Sequence, residues 1–260
     1  MRRVMAFRPN SYNNTSQVDA QVAFDAGLRS YMLRIYNWMA SGLLLTALVS
    51  YLVANSSLGN IFYQRVFANG SIHLTPTMLG FVAILSPLAF VLVMSFGINR
   101  LSTQTAQALF WALCAAMGIS MASIFFVYTG ESIARTFLVA ASMFAGMSLW
   151  GYTTQRDLTG IGSFLGMGLF GLVIAMVINM FFHSSGMSLL ISIVGVVVFT
   201  GLAATDTQRI KLSYQTFYQY EGADMAAKHS VYDALTLYLN FINLFQFLLQ
   251  FMGVRSGSND

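Results

Sequence analysis

The stretch VYDALTLYLNFINLFQFLLQFM, residues 231–252, sets the architecture of this chain. Polar residues recur along it at Asp233, Thr236, Asn240, Asn243, Gln246 and Gln250, in steps of three, four, three, three and four. Those steps keep all six on one face of a helix. The other positions are almost all Leu, Phe, Tyr, Val or Ile. In water such a stripe is the solvated face. A helix of about 22 residues, however, crosses a bilayer core of roughly 30 Å. In lipid a polar stripe must face protein or a water-filled cavity. The stretch is therefore expected to be the central helix of a membrane bundle, with the other helices around it.

Composition agrees. Hydrophobic residues make up 57% of the chain and charged residues 8%, with a mean hydropathy of +0.66. A soluble domain carries about 25% charged residues. One membrane domain accounts for the 260 residues. The net charge of +4 would suggest nucleic acid in a soluble chain. Here the basic residues flank hydrophobic spans, so the bilayer is the expected partner and nucleic acid is not. Cys114 is the single cysteine and lies in an apolar span. It excludes an intrachain disulfide and a multi-cysteine metal site.

Outward from the last span, six more hydrophobic segments predict an all-α integral membrane protein with seven transmembrane helices. They fall at about residues 34–54, 77–98, 104–128, 132–152, 163–182 and 187–206. Residues 1–31 form an expected polar cytoplasmic tail, partly disordered, becoming helical near Ala20 to Tyr31 and lacking the apolar core of a secretory signal. Residues 32–252 form the membrane domain, and residues 253–260 a short C-terminal tail. A loop carrying Arg65 and His73 joins the first two spans. Pro87 should kink the second and free a backbone carbonyl. Ala108, Ala112, Ala115, Ala116, Ser120 and Ser123 suggest a seam for close helix contact in the third span, and Gly162 with Gly166 a second one in the fifth.

Ten Lys or Arg residues lie on the side of the N-terminus and three on the other. The excess predicts an N-terminus inside the cell and a C-terminus outside.

Few residues in or near the spans can carry chemistry. Asp206 ends the sixth segment, in the run Ala-Ala-Thr-Asp-Thr-Gln-Arg. It is either an interfacial carboxylate paired with Arg209 three residues on, or an ion or proton site facing the last helix. Asp233 begins the last segment, where a carboxylate suits a helix N-terminus. It could equally form a second acidic point at the inner mouth. His73, His183 and His229 fall in separate loops without metal-ligand spacing. No GxSxG or P-loop motif occurs. The only lysines, Lys211 and Lys228, are expected in the loop before the last helix, which leaves no retinal Schiff base. A two-carboxylate protease site would need Asp206 beside Asp233. No enzymatic activity and no resident cofactor are expected.

Three separated motifs carry a resemblance. They are Tyr152-Thr153-Thr154-Gln155-Arg156-Asp157-Leu158 with the Gly-rich span after it, Asp206-Thr207-Gln208, and Leu237-Tyr238-Leu239-Asn240-Phe241-Ile242-Asn243-Leu244-Phe245. In that order, over roughly residues 28–252, the chain resembles the transmembrane Bax inhibitor motif (Bax inhibitor-1-like) family, bacterial inner-membrane branch. The resemblance implies seven helices with the last enclosed by the other six, and a pH-sensitive calcium leak in some members. In those members an Asp of the sixth helix pairs with an Asp of the seventh, and an Arg at the end of the second latches the closed state. Asp206 and Arg100 stand at the first and third of these positions. Asn240 stands where the family commonly has the second Asp, and Ala89 stands near a helix-two Glu of some members.

Two carboxylates that share a proton titrate as a coupled pair with one pKa raised. Asp with Asn keeps a hydrogen bond but loses that repulsion, and loses one hard anionic ligand for a divalent cation. The expectation is a calcium or cation leak channel of reduced pH dependence. Asp206, Asn240 and Asp233 would be its ion and pH-sensing residues, Arg100 its latch, and Thr236, Asn243 and Gln246 its pore lining, with weak, transient Ca2+ binding at Asp206. The alternative is a regulator that binds a membrane-bound ATP-dependent protease, as some bacterial relatives do, with residues 1–31 as the handle. A structural stabiliser of the membrane is the third class.

Overall fold

The computed structural model describes residues 12–68, 71–98, 100–218 and 222–256. Its helices are α1 (Tyr12–Ala54), α2 (Gly59–Phe62), α3 (Met78–Gly97), α4 (Thr103–Met121), α5 (Ile124–Val127), α6 (Gly130–Thr153), α7 (Thr159–Phe182), α8 (Ser185–Ser213) and α9 (Ala223–Met252). Strands β1 (Tyr63–Ala68) and β2 (Ser71–Pro76) pair antiparallel between α2 and α3. Seven of the helical segments are long and apolar enough to cross a membrane, and the chain is a multi-pass all-α membrane protein.

The last span is the central one. Of its most apolar window, 61% is buried, and no other span exceeds 44%. The enclosure is the work of four helices rather than six: α1, α4, α6 and α8 pack on α9, while α3 packs on α4 and α7 on α8. Apolar side chains of α9 fill the middle. Leu237, Tyr238 and Leu244 are fully buried, and Phe247 stacks on Phe199 of α8. The contact of α6 with α8 depends on Gly151, where a Cβ would meet the backbone of Ala204.

Local chemistry explains the element boundaries. Thr77, Ser102, Thr129 and Ser184 each accept a backbone N–H three residues on and start α3, α4, α6 and α8. Pro87 lies buried inside α3 and cannot donate to Ala83. The Ser86 hydroxyl donates to the Ala83 carbonyl instead, at 2.9 Å.

Several expected boundaries move. Helix α1 runs unbroken from Tyr12 across the expected tail boundary at residue 31, and Leu28, Tyr31 and Met32 are in the core. The apolar positions Leu28, Tyr31, Met32 and Ile35 share a helix face, so burial begins before the continuous apolar run does. Residues 1–11 of the expected tail, and 257–260 at the other end, lie outside the described residues. The expected loop after the first span contains the β-hairpin, with Arg65 on β1 and His73 on β2. The third span breaks at Ala122 and Ser123, where the Tyr63 hydroxyl takes up the Ile119 and Ser120 carbonyls.

The expected small-residue seams are used only in part. Ala108 is exposed, and the close approach of α4 to α1 is at Gly118, whose Cβ would meet the Thr46 carbonyl. In α7 a Cβ at Gly166 would meet nothing within 4 Å. Lys228 and His229 lie inside α9, not in the loop before it. The absence of a lysine from the last helix therefore no longer argues against a Schiff base. What does is position: Lys228 lies twelve residues from Asn240, about 18 Å along the axis and near the helix end.

Candidate functional site

Helix α8 extends two turns beyond Asp206, so this residue lies within a helix and not at its end. Asp206 pairs with Arg209 and also faces the last helix. Asn240 Nδ2 of α9 donates to Asp206 Oδ2 at 2.7 Å. Arg209 Nε donates to Asp206 Oδ1 at 3.1 Å. The Asp206 side chain is 17% exposed. It borders a cleft of about 430 Å³ between α7 and α8, lined also by Thr159, Ser163, Thr205 and Arg209. A carboxylate is thus reachable from one side and tied to the central helix on the other.

Asp233 does not cap a helix. It stands ten residues into α9, because α9 begins at Ala223. Its carboxylate is buried and accepts a 2.6 Å hydrogen bond from the Tyr31 hydroxyl of α1. Tyr31 in turn lies against Tyr214, with ring centroids 4.9 Å apart. Asp206 and Asp233 share no hydrogen bond. The two-carboxylate protease arrangement is therefore not formed.

The rest of the stripe is closed on itself. Thr236 donates to the Tyr232 carbonyl and Asn243 to the Leu239 carbonyl, both within α9. Gln246 and Gln250 line a pocket of about 210 Å³ with Ser120, Ser123 and Tyr128, and Gln250 accepts from Ser192 at 3.2 Å. Two separate hollows thus lie near the stripe, one at Asp206 and one at Gln246 and Gln250. Between them, the side chain of Asn243 is turned back on its own helix. Beside it, Thr46 joins Tyr238 at 2.7 Å and the Cys114 carbonyl at 2.9 Å, tying α1 and α4 to α9. This buried node carries no sequence signal, because Thr, Tyr and Cys are unremarkable in an apolar run.

Arg100 is exposed in the turn after α3 and forms no ion pair among the described residues; the cation at Asp206 is Arg209. Ala89 is exposed on α3. No group of three His, Cys, Asp or Glu side chains that could hold a metal occurs among the described residues. A divalent cation wants six to eight oxygens. At Asp206 it would have to displace Arg209 and turn the Asn240 amide to present its carbonyl.

Two of the sequence motifs meet in space. Gln208 of α8 donates to the Arg156 carbonyl and accepts from the Leu158 N–H, each at 2.8 Å. Lys211 Nζ donates to the Tyr152 carbonyl at 2.8 Å and lies over the Tyr152 ring. Thr207 donates to Ser148 at 3.1 Å. The segment between α6 and α7 is thereby fastened to the helix that carries Asp206. Within it Thr159, through its side chain and backbone N–H, holds the exposed Asp157 carboxyl below the usual carboxylate range.

Residues 28–257 match the model of the family described as inhibitor of apoptosis-promoting Bax1. The chain is 44% identical over 232 residues to the uncharacterized protein RP147 of Rickettsia prowazekii, covering 89% of this chain and 92% of that one. It is 42% identical over 239 residues to the inner membrane protein YbhL of Escherichia coli K12, covering 91% and 97%. To the uncharacterized protein YrjE of Lactococcus lactis it is 35% identical over 246 residues, covering 93% and 99%.

Proposed function

The chain belongs to the Bax inhibitor-1-like family, and on that premise we propose that it is a cation leak channel of the bacterial inner membrane, calcium among its ions. Its path follows the polar stripe of α9 and is closed at Asn243. The observation that carries this reading is the Asp206 carboxylate. It is held within a span, hydrogen-bonded to Asn240 of the central helix, and open to the cleft between α7 and α8. A charged group at such a position is costly in lipid and marks ion pathways. Arg209 neutralises it in the closed form, and an entering cation replaces Arg209. The resemblance to inner membrane protein YbhL supports the location.

Reconstitution in liposomes with an entrapped calcium dye tests the proposal. The wild type should leak slowly, with a shallow pH response. Asn240→Asp should restore the coupled carboxylates, raise the flux several-fold and steepen its pH dependence, since a shared proton then titrates. Asp206→Asn should reduce the flux to that of empty liposomes. A steep wild-type pH response that Asn240→Asp does not increase would overturn the proposal.

A second reading, regulation of a membrane-bound ATP-dependent protease, has one observation in its favour. Helix α1 begins at Tyr12, well ahead of the continuous apolar run that follows Arg34, which offers a partner a helical handle. Pull-down from detergent with and without residues 1–24 tests it.

A further inference from the structure

A second polar feature lies away from α9. A groove of about 830 Å³ runs along the start of the first span, walled on one side by Trp111 of α4. Arg29, Ser30, Arg34, Asn37 and Trp38 line it. Arg29 and Arg34 are exposed, and neither forms an ion pair among the described residues. The other lining residues add no carboxylate. Asp25, one turn ahead of Arg29, is outside the groove. Two cations five residues apart thus face one hollow with no carboxylate among its described lining residues.

The groove changes character with depth. The continuous apolar run of this span follows Arg34, so Arg29 and Arg34 lie at its entrance. Trp38 is one turn further in, about 6 Å past Arg34 along the axis. Its ring is held at 5.6 Å from both Phe110 and Trp111. Leu44 and Leu48, further along the same helix, are exposed apolar residues. The sequence along α1 is cations, then amphipathic rings, then bare leucines. A phospholipid has the same order: phosphodiester, glycerol ester, acyl chain. Guanidinium groups offer forked donors that match phosphate oxygens, and Trp is favoured at the level of the headgroup boundary.

We propose that this groove is a binding site for an anionic phospholipid. The phosphodiester sits between Arg29 and Arg34, the ester region lies against Trp38 and Trp111, and the acyl chains run down α1. The site is independent of the Asp206 path. It ties the first helix to the leaflet on the N-terminal side, where positively charged segments meet anionic lipid.

The test uses the full chain in neutral detergent, offered equimolar phosphatidylglycerol and phosphatidylcholine, with retained lipid counted by native mass spectrometry. Phosphatidylglycerol should be retained at least tenfold over phosphatidylcholine. Arg29→Gln combined with Arg34→Gln should bring the ratio to about one. Arg156→Gln, which removes an exposed cation outside the groove, should leave it unchanged. If the double variant does not fold, each single variant should still lower the ratio several-fold. Equal retention by the wild type, a preference that survives both substitutions, or an equal loss with Arg156→Gln would each overturn the site. Displacement of the lipid by inorganic phosphate alone would make it a site for free anions and overturn the lipid assignment.

Discussion

Single residues decide whether the central helix is bound to its neighbours. Tyr238 is fully buried, and its hydroxyl meets Thr46, which also reaches the Cys114 carbonyl. With Thr46 donating to the carbonyl, Tyr238 donates to Thr46. Thr46→Val leaves the Tyr238 hydroxyl only the weakly hydrogen-bonding Cys114 thiol in an otherwise apolar setting, at a cost of roughly 1–3 kcal/mol. Tyr238→Phe removes the hydroxyl itself and leaves Thr46 its bond to Cys114, so it should cost only about 1 kcal/mol. Thermal unfolding in detergent should therefore rank Thr46→Val as the more damaging; the reverse order would mean that the node is wired differently. The same scale shows what could be read from sequence. Asp206 and Asn240 were identifiable because polar groups are scarce in spans. The placing of Asp233 failed because its role depends on where α9 starts, and Gly222 through Ser230 give no hydrophobic run to mark that start.

Elements show a related contrast. The long spans are legible because a bilayer demands about 20 apolar residues. Short elements need turn chemistry instead. The hairpin of β1 and β2 was missed although Asn69 and Gly70 stand between the strands in sequence, a pair that favours tight hairpin turns. The link between α6 and α7 was legible as a motif but not as a fastening, because its partner Gln208 is fifty residues away. Gln208→Ala frees the Leu158 N–H and the Arg156 carbonyl together. Loss of such bonds costs about 1–3 kcal/mol of local stability, and segments open locally according to that stability. Arg156 is exposed and is a trypsin target. Tryptic cleavage after Arg156 should therefore quicken at least fivefold in Gln208→Ala, while Gln155→Ala leaves it unchanged. Equal cleavage in wild type and Gln208→Ala would show that the segment is held by other contacts.

At the scale of the whole molecule, seven crossings put the two ends of the chain on opposite faces of the membrane. Which face is which follows from charge, since short cytoplasmic segments retain Lys and Arg. Among the described residues, Arg156, Arg209, Lys211 and Lys228 gather with the segments that join α6 to α7 and α8 to α9, at the end of the bundle from which α1 enters. Ten basic residues on that face against three on the other favour a cytoplasmic N-terminus, and with it an Asp206 cleft that opens to the cytoplasm. The single cysteine makes this measurable, because Cys114 is buried and can be replaced by Ala to clear the background. Ser57, exposed after α1, and Gln155, exposed between α6 and α7, then serve as reporters on the two faces. In intact cells, a membrane-impermeant maleimide should label Ser57→Cys and spare Gln155→Cys until the membrane is broken. The opposite labelling would invert the molecule and turn the Asp206 cleft outward, so that on the proposed path a cation entering from the cytoplasm would meet Gln246 and Gln250 first and Asp206 last.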